Sequence, residues 1–319
     1  MMTEPTQAGT LPNVRVLVIV NPRATGTSNL VRDVLAHAIG NSAEVEIEQT
    51  ANRGHAAALA CRAMRDRVDA VVGLGGDGTI NEIVNGLLTD GVHEDVPALG
   101  VVPAGSTNVF ARALGIPNDP VEATGALLEA MRTQSRRSIS LGRIDSRWFI
   151  FAAGIGFDAA IVEGVERNRR RGKRSTHSLY ARVALREFFG SDRRHPKLSV
   201  ELADGSTIEG LHNAIITNAD PWTFAGNRPL RPTPKTTFDT GLGLYARTSM
   251  NSLSVLHGVA QMARANPRQV RWGAVTRNDV SAMVLRASEP MPVQVDGDLL
   301  EPRELISVWS VPRAVSVLI

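Results

Sequence analysis

The segment GLGGDGT, Gly73–Thr79, combines glycines with a carboxylate at the junction of a predicted strand and a predicted helix. Glycines at such a junction let backbone N–H groups approach phosphate oxygens, and the N-terminus of the helix adds a partial positive charge. The segment formally contains G-x-G-x-x-G, the dinucleotide-binding pattern, but it follows the third predicted strand instead of the first. Asp77 would repel a bare pyrophosphate, whereas an acid beside phosphates is expected where Mg²⁺ lies between them. The segment therefore predicts a magnesium-assisted nucleotide site, with a packing turn as the alternative.

Two further loops have similar chemistry. PAGSTN (Pro103–Asn108) follows the fourth predicted strand, and NPRATG (Asn21–Gly26) follows the first and offers Arg23. Hydroxyl residues at the start of a helix are often only N-caps. Loops after adjacent parallel strands, however, lie side by side at the carboxyl edge of the sheet, where ligands bind. GKRS (Gly172–Ser175) lacks the spacing of a P-loop, so the sequence excludes a P-loop NTPase.

The elements that must position these loops alternate along the first part of the chain. Apolar runs predict buried parallel strands, and AEVEIEQ alternates like a strand with one wet face. Stretches with helical periodicity separate the runs. The predicted strands are 14–20, 43–49, 69–75 and 97–103, and the predicted helices are 28–39, 55–68, 79–88 and 106–114. This order predicts an α/β domain with a parallel sheet.

After Arg136 the predicted strands become shorter and more closely spaced, which indicates a mostly antiparallel β-sandwich domain. The strand-like segments are 137–145, 147–154, 197–210, 212–219, 241–247, 280–287 and 292–297, with a hairpin turn at 203–206 and helices near 176–189 and 252–264. We expect an α/β domain over 13–137, a β-rich domain over 138–303, and a final segment, 304–319, that rejoins the first domain.

Composition excludes several classes of protein. The chain has 319 residues, and its one cysteine, Cys61, excludes a disulfide framework or a multi-cysteine metal site. No apolar run approaches the ~20 residues of a membrane span. The N-terminus lacks the basic and apolar regions of a signal peptide, so we expect a cytoplasmic protein. Aromatic residues are 4% of the chain, which leaves few stacking platforms for bases and argues against a nucleic-acid partner.

The net charge of +3 conceals a local concentration of cations. Six basic residues occur within eight positions: Arg167, Arg169, Arg170, Arg171, Lys173 and Arg174. This run is either a solvated surface loop or a patch for an anionic surface such as lipid headgroups.

Six motifs in this order, NPRATG, T-x₄-HA (from Thr50), GGDGTINEIVNGL, PAGSTNVFAR, GIGFDAAIV and VDGD, resemble the diacylglycerol kinase catalytic-domain family. That family includes bacterial diacylglycerol kinases, sphingosine kinases and ceramide kinases, and is related to the NAD kinases, which share GGDGTxNE. The resemblance spans nearly the whole chain. It implies the NAD kinase/diacylglycerol kinase-like fold, ATP as co-substrate, Mg²⁺, and a lipid hydroxyl as acceptor, with diacylglycerol giving phosphatidic acid as the first candidate.

The resemblance also assigns residues to the nucleotide site. Asp77 would serve Mg²⁺ and take part in catalysis, and Glu82 would hold the loop or touch nucleotide. The ATP-binding set is Asn21, Arg23, Thr50, Gly75, Gly76, Asp77, Gly78, Thr79, Asn81, Glu82, Gly105 and Ser106.

On the acceptor side, Asp298 stands where the family has a glutamate, the proposed general base, and it is one methylene shorter. Asp296 is the nearby substitute, and a purely structural Asp-Gly-Asp turn is the alternative. Val109 replaces an acid found in many members. Asp158 of GFDA would join the domains or meet the headgroup. Asp239 resembles a ligand of a structural Mg²⁺, although Thr240 replaces the second acid.

A lipid substrate implies peripheral association with an anionic membrane, through Arg169, Arg170, Arg171, Lys173 and Arg174. Phe188, Phe189, Trp222 and Phe224 are either candidates to admit acyl chains or ordinary core. A homodimer is left open. The alternatives are an NAD kinase-like enzyme, a catalytically weak nucleotide- or lipid-binding regulator, and a Rossmann oxidoreductase.

Overall fold

The computed structural model describes residues 14–24, 37, 39–40, 43–171, 177–267 and 272–319. The predicted helix over 28–39 lies almost entirely outside the described residues, as do Lys173 and Arg174 of the basic run. The chain divides into two compact units. The first comprises residues 1–111, 115–137 and 316–319, and the second comprises 112–114 and 138–315. Of the predicted final segment 304–319, residues 316–319 lie in the first unit.

The first unit is built on a parallel sheet in the order β2-β1-β3-β4. These strands are β1 (Arg15–Val20), β2 (Glu44–Gln49), β3 (Ala70–Gly75) and β4 (Ala98–Pro103). β3 and β4 are buried along their whole length, as expected for apolar runs covered on both faces. β2 lies at the edge, where its three glutamates alternate with Val45 and Ile47. Beside β4, Val317 pairs in parallel with Leu99 and adds the end of the last strand to this sheet.

Helices follow the strands of this unit: α1 (His55–Arg65), α2 (Asp77–Leu87), α3 (Val109–Ala113) and α4 (Pro120–Thr133). The last two residues of α3 belong to the second unit. α1 and α2 approach closely at Gly86, because a Cβ there would lie 2.2 Å from the carbonyl oxygen of Ala57. α4 begins with Pro120 at its first position, and the Asp119 carboxylate caps it by accepting from the amides of Val121 and Glu122.

The second unit is mostly antiparallel. Its strands are β5 (Arg136–Ile144), β6 (Arg147–Phe149), β7 (Ala152–Ile155), β8 (Leu198–Leu202), β9 (Thr207–Leu211), β10 (Asn213–Thr217), β11 (Thr223–Ala225), β12 (Arg228–Leu230), β13 (Leu242–Arg247), β14 (Ala274–Val280), β15 (Ala282–Val295) and β16 (Asp298–Leu318). Its helices are α5 (Phe157–Arg170), α6 (His177–Gly190) and α7 (Ser252–Met262). β15 pairs antiparallel with β7, β8 and β16. Its alternate side chains contribute to one apolar core with β8, β10 and β13.

The predicted fold class, a parallel α/β part followed by a mostly antiparallel β part, is confirmed. Three local predictions are wrong. The helix predicted from Ser106 begins at Val109, because Asn108 adopts a left-handed conformation (φ 50°) that helical residues avoid. The single strand predicted over 147–154 is two, β6 and β7, joined by a bend. The two segments predicted near 280–287 and 292–297 are one bent strand, β15.

Candidate functional site

In the first unit, the loop after β1 is tied to the first turn of α2. The backbone N–H of Asn21 donates to the carbonyl of Leu74 at 2.9 Å. Its side-chain amide donates to the Thr79 hydroxyl at 3.0 Å, and its side-chain oxygen accepts from the amide of Arg23 at 3.0 Å. Asn21 thereby fixes the direction in which the exposed Arg23 leaves the sheet. Asn21 serves this loop through its hydrogen bonds, in addition to any contact with nucleotide.

The loops after β3 and β4 touch backbone to backbone. The Ala104 amide donates to the carbonyl of Gly75 at 2.8 Å. A Cβ on Gly105 would lie 2.6 Å from Gly76 Cα, and a Cβ on Gly75 would lie 2.7 Å from Thr79 Cβ. Side chains are therefore excluded where the two loops meet, and the glycines are required by close approach and not by an unusual φ. The loops meet as expected for adjacent parallel strands, while Gly78 and Ser106 remain exposed.

Asp77 links α2 to α3. Its two carboxylate oxygens accept hydrogen bonds from the backbone amides of Val109 and Phe110, at 2.9 and 3.0 Å. These amides belong to the first turn of α3, where a carboxylate satisfies unpaired donors and opposes the helix dipole. Sequence analysis missed this role, because the partner lies more than thirty positions along the chain. The motif acid therefore holds the second phosphate-loop candidate against the first.

Glu82 makes the equivalent link to α1. One oxygen accepts from the Gly54 amide at 2.9 Å, and the other accepts from the Ala56 amide at 3.2 Å. Gly54 itself is in a left-handed conformation and supplies no side chain to cap the helix. Of the two roles predicted for Glu82, the described contacts are those of a residue that holds a loop.

Thr50 follows the end of β2, and its amide donates to the carbonyl of Val20 on β1. Asn81 is buried one turn into α2, where its carbonyl accepts from the Asn85 side chain.

These groups suit an anion better than a metal ion held by the protein. The first N–H groups of a helix point out of its N-terminus, and at α2 they belong to Asp77 and Gly78. Among the described residues, no group of three or more His, Cys, Asp or Glu side chains could hold a metal ion. Each oxygen of Asp77 accepts one backbone N–H group and keeps a second lone pair, so Asp77 could contribute one ligand to Mg²⁺, although the described residues supply no complete set of protein ligands. Any Mg²⁺ would enter as part of a nucleotide substrate.

In the second unit, the Asp-Gly-Asp turn between β15 and β16 contains a buried acid. Asp296 accepts three hydrogen bonds, from the amides of Ile150, Phe151 and Ala152, at 2.7 to 3.0 Å. Asp296 thus stabilises the bend that separates β6 from β7, the bend that the sequence did not predict. Its φ of 49° and the φ of 85° at Gly297 are the left-handed pair expected of a tight two-residue hairpin turn.

Gln294 ties the same turn to α5. Its side-chain oxygen accepts from the Gly297 amide at 2.8 Å, and its side-chain nitrogen donates to Asp158 at 2.7 Å. Burial raises the pKa of the Asp158 carboxyl to about 6, while the hydrogen bond from Gln294 partly opposes this rise. A Cβ on Gly154 would lie 1.9 Å from the Asp158 carboxylate, so this glycine makes room for it. Sequence analysis missed Gln294; its only signal is a polar residue within the apolar run of β15.

Asp298 is left as the partly exposed acid of the turn. It begins β16, opposite Val295, and its carboxylate lies 3.5 Å from the guanidinium of Arg147 on β6. With Asp296 and Gln294 fixing the residues before it, Asp298 is carried by a rigid turn. It is therefore the acid of this motif that can meet a ligand.

Two other predicted positions have simpler surroundings. Asp239 is exposed in a turn that the Thr240 hydroxyl closes, by donating to the Thr237 carbonyl at 3.0 Å. At the end of α5, Arg167 pairs with Glu163, and Arg169 and Arg170 pair with Glu166. The described part of the basic run is thus partly neutralised by acids on its own helix.

Part of the chain is similar in sequence to known proteins. Residues 15–144 match the family model of the diacylglycerol kinase catalytic domain. A diacylglycerol kinase from Staphylococcus aureus (strain bovine RF122 / ET3-1) is 36% identical over 144 residues, which are 44% of this chain and 43% of that protein. The one from strain JH9 is 39% identical over 112 residues, 35% of this chain and 33% of that protein. The matched part therefore spans less than half the length of these curated relatives.

Solved structures extend the likeness to the fold of the whole chain. A diacylglycerol kinase from Bacillus anthracis str. Sterne aligns with a TM-score of 0.69 at 19% identity, covering 95% of this chain and 96% of that one. A second structure from the same strain gives 0.73 at 19% identity, covering 95% and 97%. The predicted resemblance to the diacylglycerol kinase family is confirmed by the sequence match over residues 15–144, and these structures show a shared fold. Within the residues that the structure describes, no helix combines the length and apolarity needed to span a bilayer.

Proposed function

We propose that this protein is an ATP-dependent lipid kinase that phosphorylates diacylglycerol to phosphatidic acid. The observation that carries the proposal is the match of residues 15–144 to the diacylglycerol kinase catalytic domain, which includes all three loops of the first unit. The close approach of Gly76 and Gly105 supports it, because bare backbone at the N-terminus of α2 suits the phosphates of a nucleotide.

In this proposal the first unit binds MgATP. The amides of Gly76, Asp77 and Gly78 and the region of Gly105 and Ser106 bind the phosphates, with Asn21, Arg23 and Thr50 lining the rest of the nucleotide site. The Thr79 amide donates to the Gly76 carbonyl and holds this turn in place. Asn81, one turn further along α2, belongs to the same proposed site. Asp77 and Glu82 act through the loops they cap. Mg²⁺ arrives with ATP, bound to its phosphates.

Asp298 acts as the general base. It accepts the proton of the lipid hydroxyl as the hydroxyl oxygen bonds to the γ-phosphorus, and the bond from that phosphorus to the β,γ-bridging oxygen breaks to release ADP. Arg147 orients the Asp298 carboxylate. The rigid turn formed with Asp296 and Gln294 supports this role, because a base must be held near the proton it removes. We further propose that the enzyme works on the cytoplasmic side of a membrane, to which it binds peripherally.

The test is transfer of labelled phosphate from MgATP to a total lipid extract, with the product identified by mass spectrometry. We expect phosphatidic acid. Labelling of NAD, with no labelled lipid, would replace the proposal with an NAD kinase-like activity. Tight ATP binding with no turnover on any lipid class would instead indicate a binding regulator.

A further inference from the structure

Large apolar side chains are exposed on two helices of the second unit. On α6, Leu185 and Phe189 are 60% and 68% exposed and lie four residues apart, on one face of the helix. On α7, Leu253 and Leu256 are 67% and 65% exposed, and Val259 is 51% exposed. These five residues and Trp272, 54% exposed, form what we call the α6–α7 face.

Contacts connect the two helices of the α6–α7 face. The guanidinium of Arg193 lies 5.6 Å from the ring centre of Phe189 and donates to the Ser252 hydroxyl, at 3.4 Å, where α7 begins. At the other end, the ring of His257 lies 5.8 Å from that of Trp272. The exposed apolar groups therefore form a patch and not a set of isolated residues, and such patches mark interaction surfaces.

The charges around the α6–α7 face are mostly positive. Residues 177–194 and 252–264 contain five arginines against two acids, and α7 itself has no charged residue between Ser252 and Met262. One of the acids, Asp192, pairs with His195 at 2.9 Å. The arginines are Arg182, Arg186, Arg193, Arg194 and Arg264. This differs from the end of α5, where glutamates of the same helix pair with the arginines.

Exposed leucines, a tryptophan at the margin and arginines around them are the composition of a helix that lies in a membrane interface. An anionic bilayer attracts each cation close to its surface, and the uncharged α7 with its exposed leucines suits the apolar layer beneath the headgroups. We propose that the α6–α7 face inserts its apolar side chains into an anionic membrane. This proposal rests on the proposed function, because it states how a lipid kinase would reach its substrate in the membrane.

The test is flotation of the purified full-length chain with vesicles of phosphatidylcholine containing one quarter phosphatidylglycerol. We expect binding that weakens with salt, and a loss of at least tenfold for the double variant Leu253→Glu and Leu256→Glu. Arg194→Gln should weaken binding about fivefold, because one cation near the surface is removed. The matched control is Leu305→Glu, an exposed leucine on β16 outside the α6–α7 face, which should bind as the wild type does.

Trp272 gives a second readout that does not depend on a charge change. Its fluorescence should be quenched by brominated lipid, and Trp272→Phe should lose that part of the quenching. The proposal is overturned if the double variant binds vesicles like the wild type while keeping its circular dichroism spectrum. It is also overturned if the double variant only converts a dimer into a monomer, since the α6–α7 face would then join two copies of the chain.

The same variants separate this proposal from the proposed function. The double variant should still phosphorylate a short-chain, water-soluble diacylglycerol. Vesicle binding through the α6–α7 face without phosphorylation of any lipid would refute the proposed function and leave this proposal intact. Lipid phosphorylation by a protein that does not bind vesicles through the α6–α7 face would refute this proposal and leave the proposed function intact.

Discussion

Asp77 in the first unit and Asp296 in the second both belong to glycine-containing motifs. Asp77 begins a helix and Asp296 lies in a hairpin turn, and both carboxylates accept hydrogen bonds from backbone amides. Asp77 accepts two amides at the start of α3, and Asp296 accepts three in the bend between β6 and β7. In each motif the acid fixes its surroundings, and in our proposal a neighbour meets the ligand. The neighbours differ, because in the first turn they are bare glycine amides and in the second a further acid, Asp298.

The difference follows from what each turn would bind. Phosphates need donors, which the backbone supplies without side chains. An alcohol needs an acceptor for its proton, which only a side chain can supply. The acid of a motif can thus cap a neighbouring helix or bend, while we assign the chemistry to the residues beside it.

The comparison is tested most severely by Asp298→Asn. If Asp298 is the base, kcat should fall on the order of 10³-fold, while ATP binding and the unfolding temperature stay unchanged, because the variant keeps its size and place. The measurements are steady-state kinetics, calorimetric titration with MgATP and thermal unfolding. An equal loss for Asp296→Asn with no change in stability would reverse the roles assigned to the two acids.

Asp158→Asn tests how the second turn is supported. The pKa of Asp158 is raised to about 6, so its protonated form is favoured in the folded state. Its contribution to stability is present below about pH 4 and is lost as the pH rises through 6, a change of roughly 3 kcal/mol. The difference in unfolding free energy between wild type and variant should therefore fall across this range, as measured by urea unfolding. Asp220→Asn is the control for a buried acid elsewhere in the unit. Burial also raises the pKa of Asp220 to about 6, but Asp220 lies outside this turn.

A paired substitution compares the two capping acids directly. Asparagine keeps one acceptor oxygen and turns an NH₂ group toward the remaining amides. We expect Asp296→Asn to cost roughly 3 kcal/mol of unfolding free energy and Asp77→Asn roughly 1 to 2 kcal/mol, because the amides at Asp296 are buried and more numerous. Urea unfolding measures both. Equal costs would mean that burial does not distinguish the two turns.

Gly105→Ala addresses the bare backbone of the first turn. A methyl group 2.6 Å from Gly76 Cα must push the two loops apart, so we expect ATP affinity to fall about tenfold with a smaller loss of stability. The control is Gly125→Ala in α4, where nothing lies within 4 Å and alanine should stabilise the helix by up to about 1 kcal/mol. Calorimetric titration with MgATP gives the affinities. Unchanged ATP affinity in Gly105→Ala would contradict the idea that the close approach of Gly76 and Gly105 is needed to bind the phosphates.

The sequence predicted what is local and could not predict what depends on distant partners. The buried strands were visible as apolar runs, and the meeting of the loops after β3 and β4 followed from their parallel order. The bend between β6 and β7 was not visible in the sequence, because it is held by Asp296, which lies 146 positions further along the chain than Ile150. The late start of α3 depends on Asn108, whose side chain bonds Gly105 at both its amide and its carbonyl and closes the loop before the helix. Gln294 belongs to no motif, and its role exists only once β15 lies beside α5.

β16 carries a consequence for the order in which the protein forms. The first unit contains residues of the early chain together with Ser316–Ile319, and Val317 pairs with Leu99 on β4. During translation the outer edge of β4 is made long before this partner strand, and an unpaired strand edge is prone to wrong pairing. The nascent α/β unit therefore keeps an open strand edge until the whole second unit has been synthesised, and only then can the pairing beside β4 form.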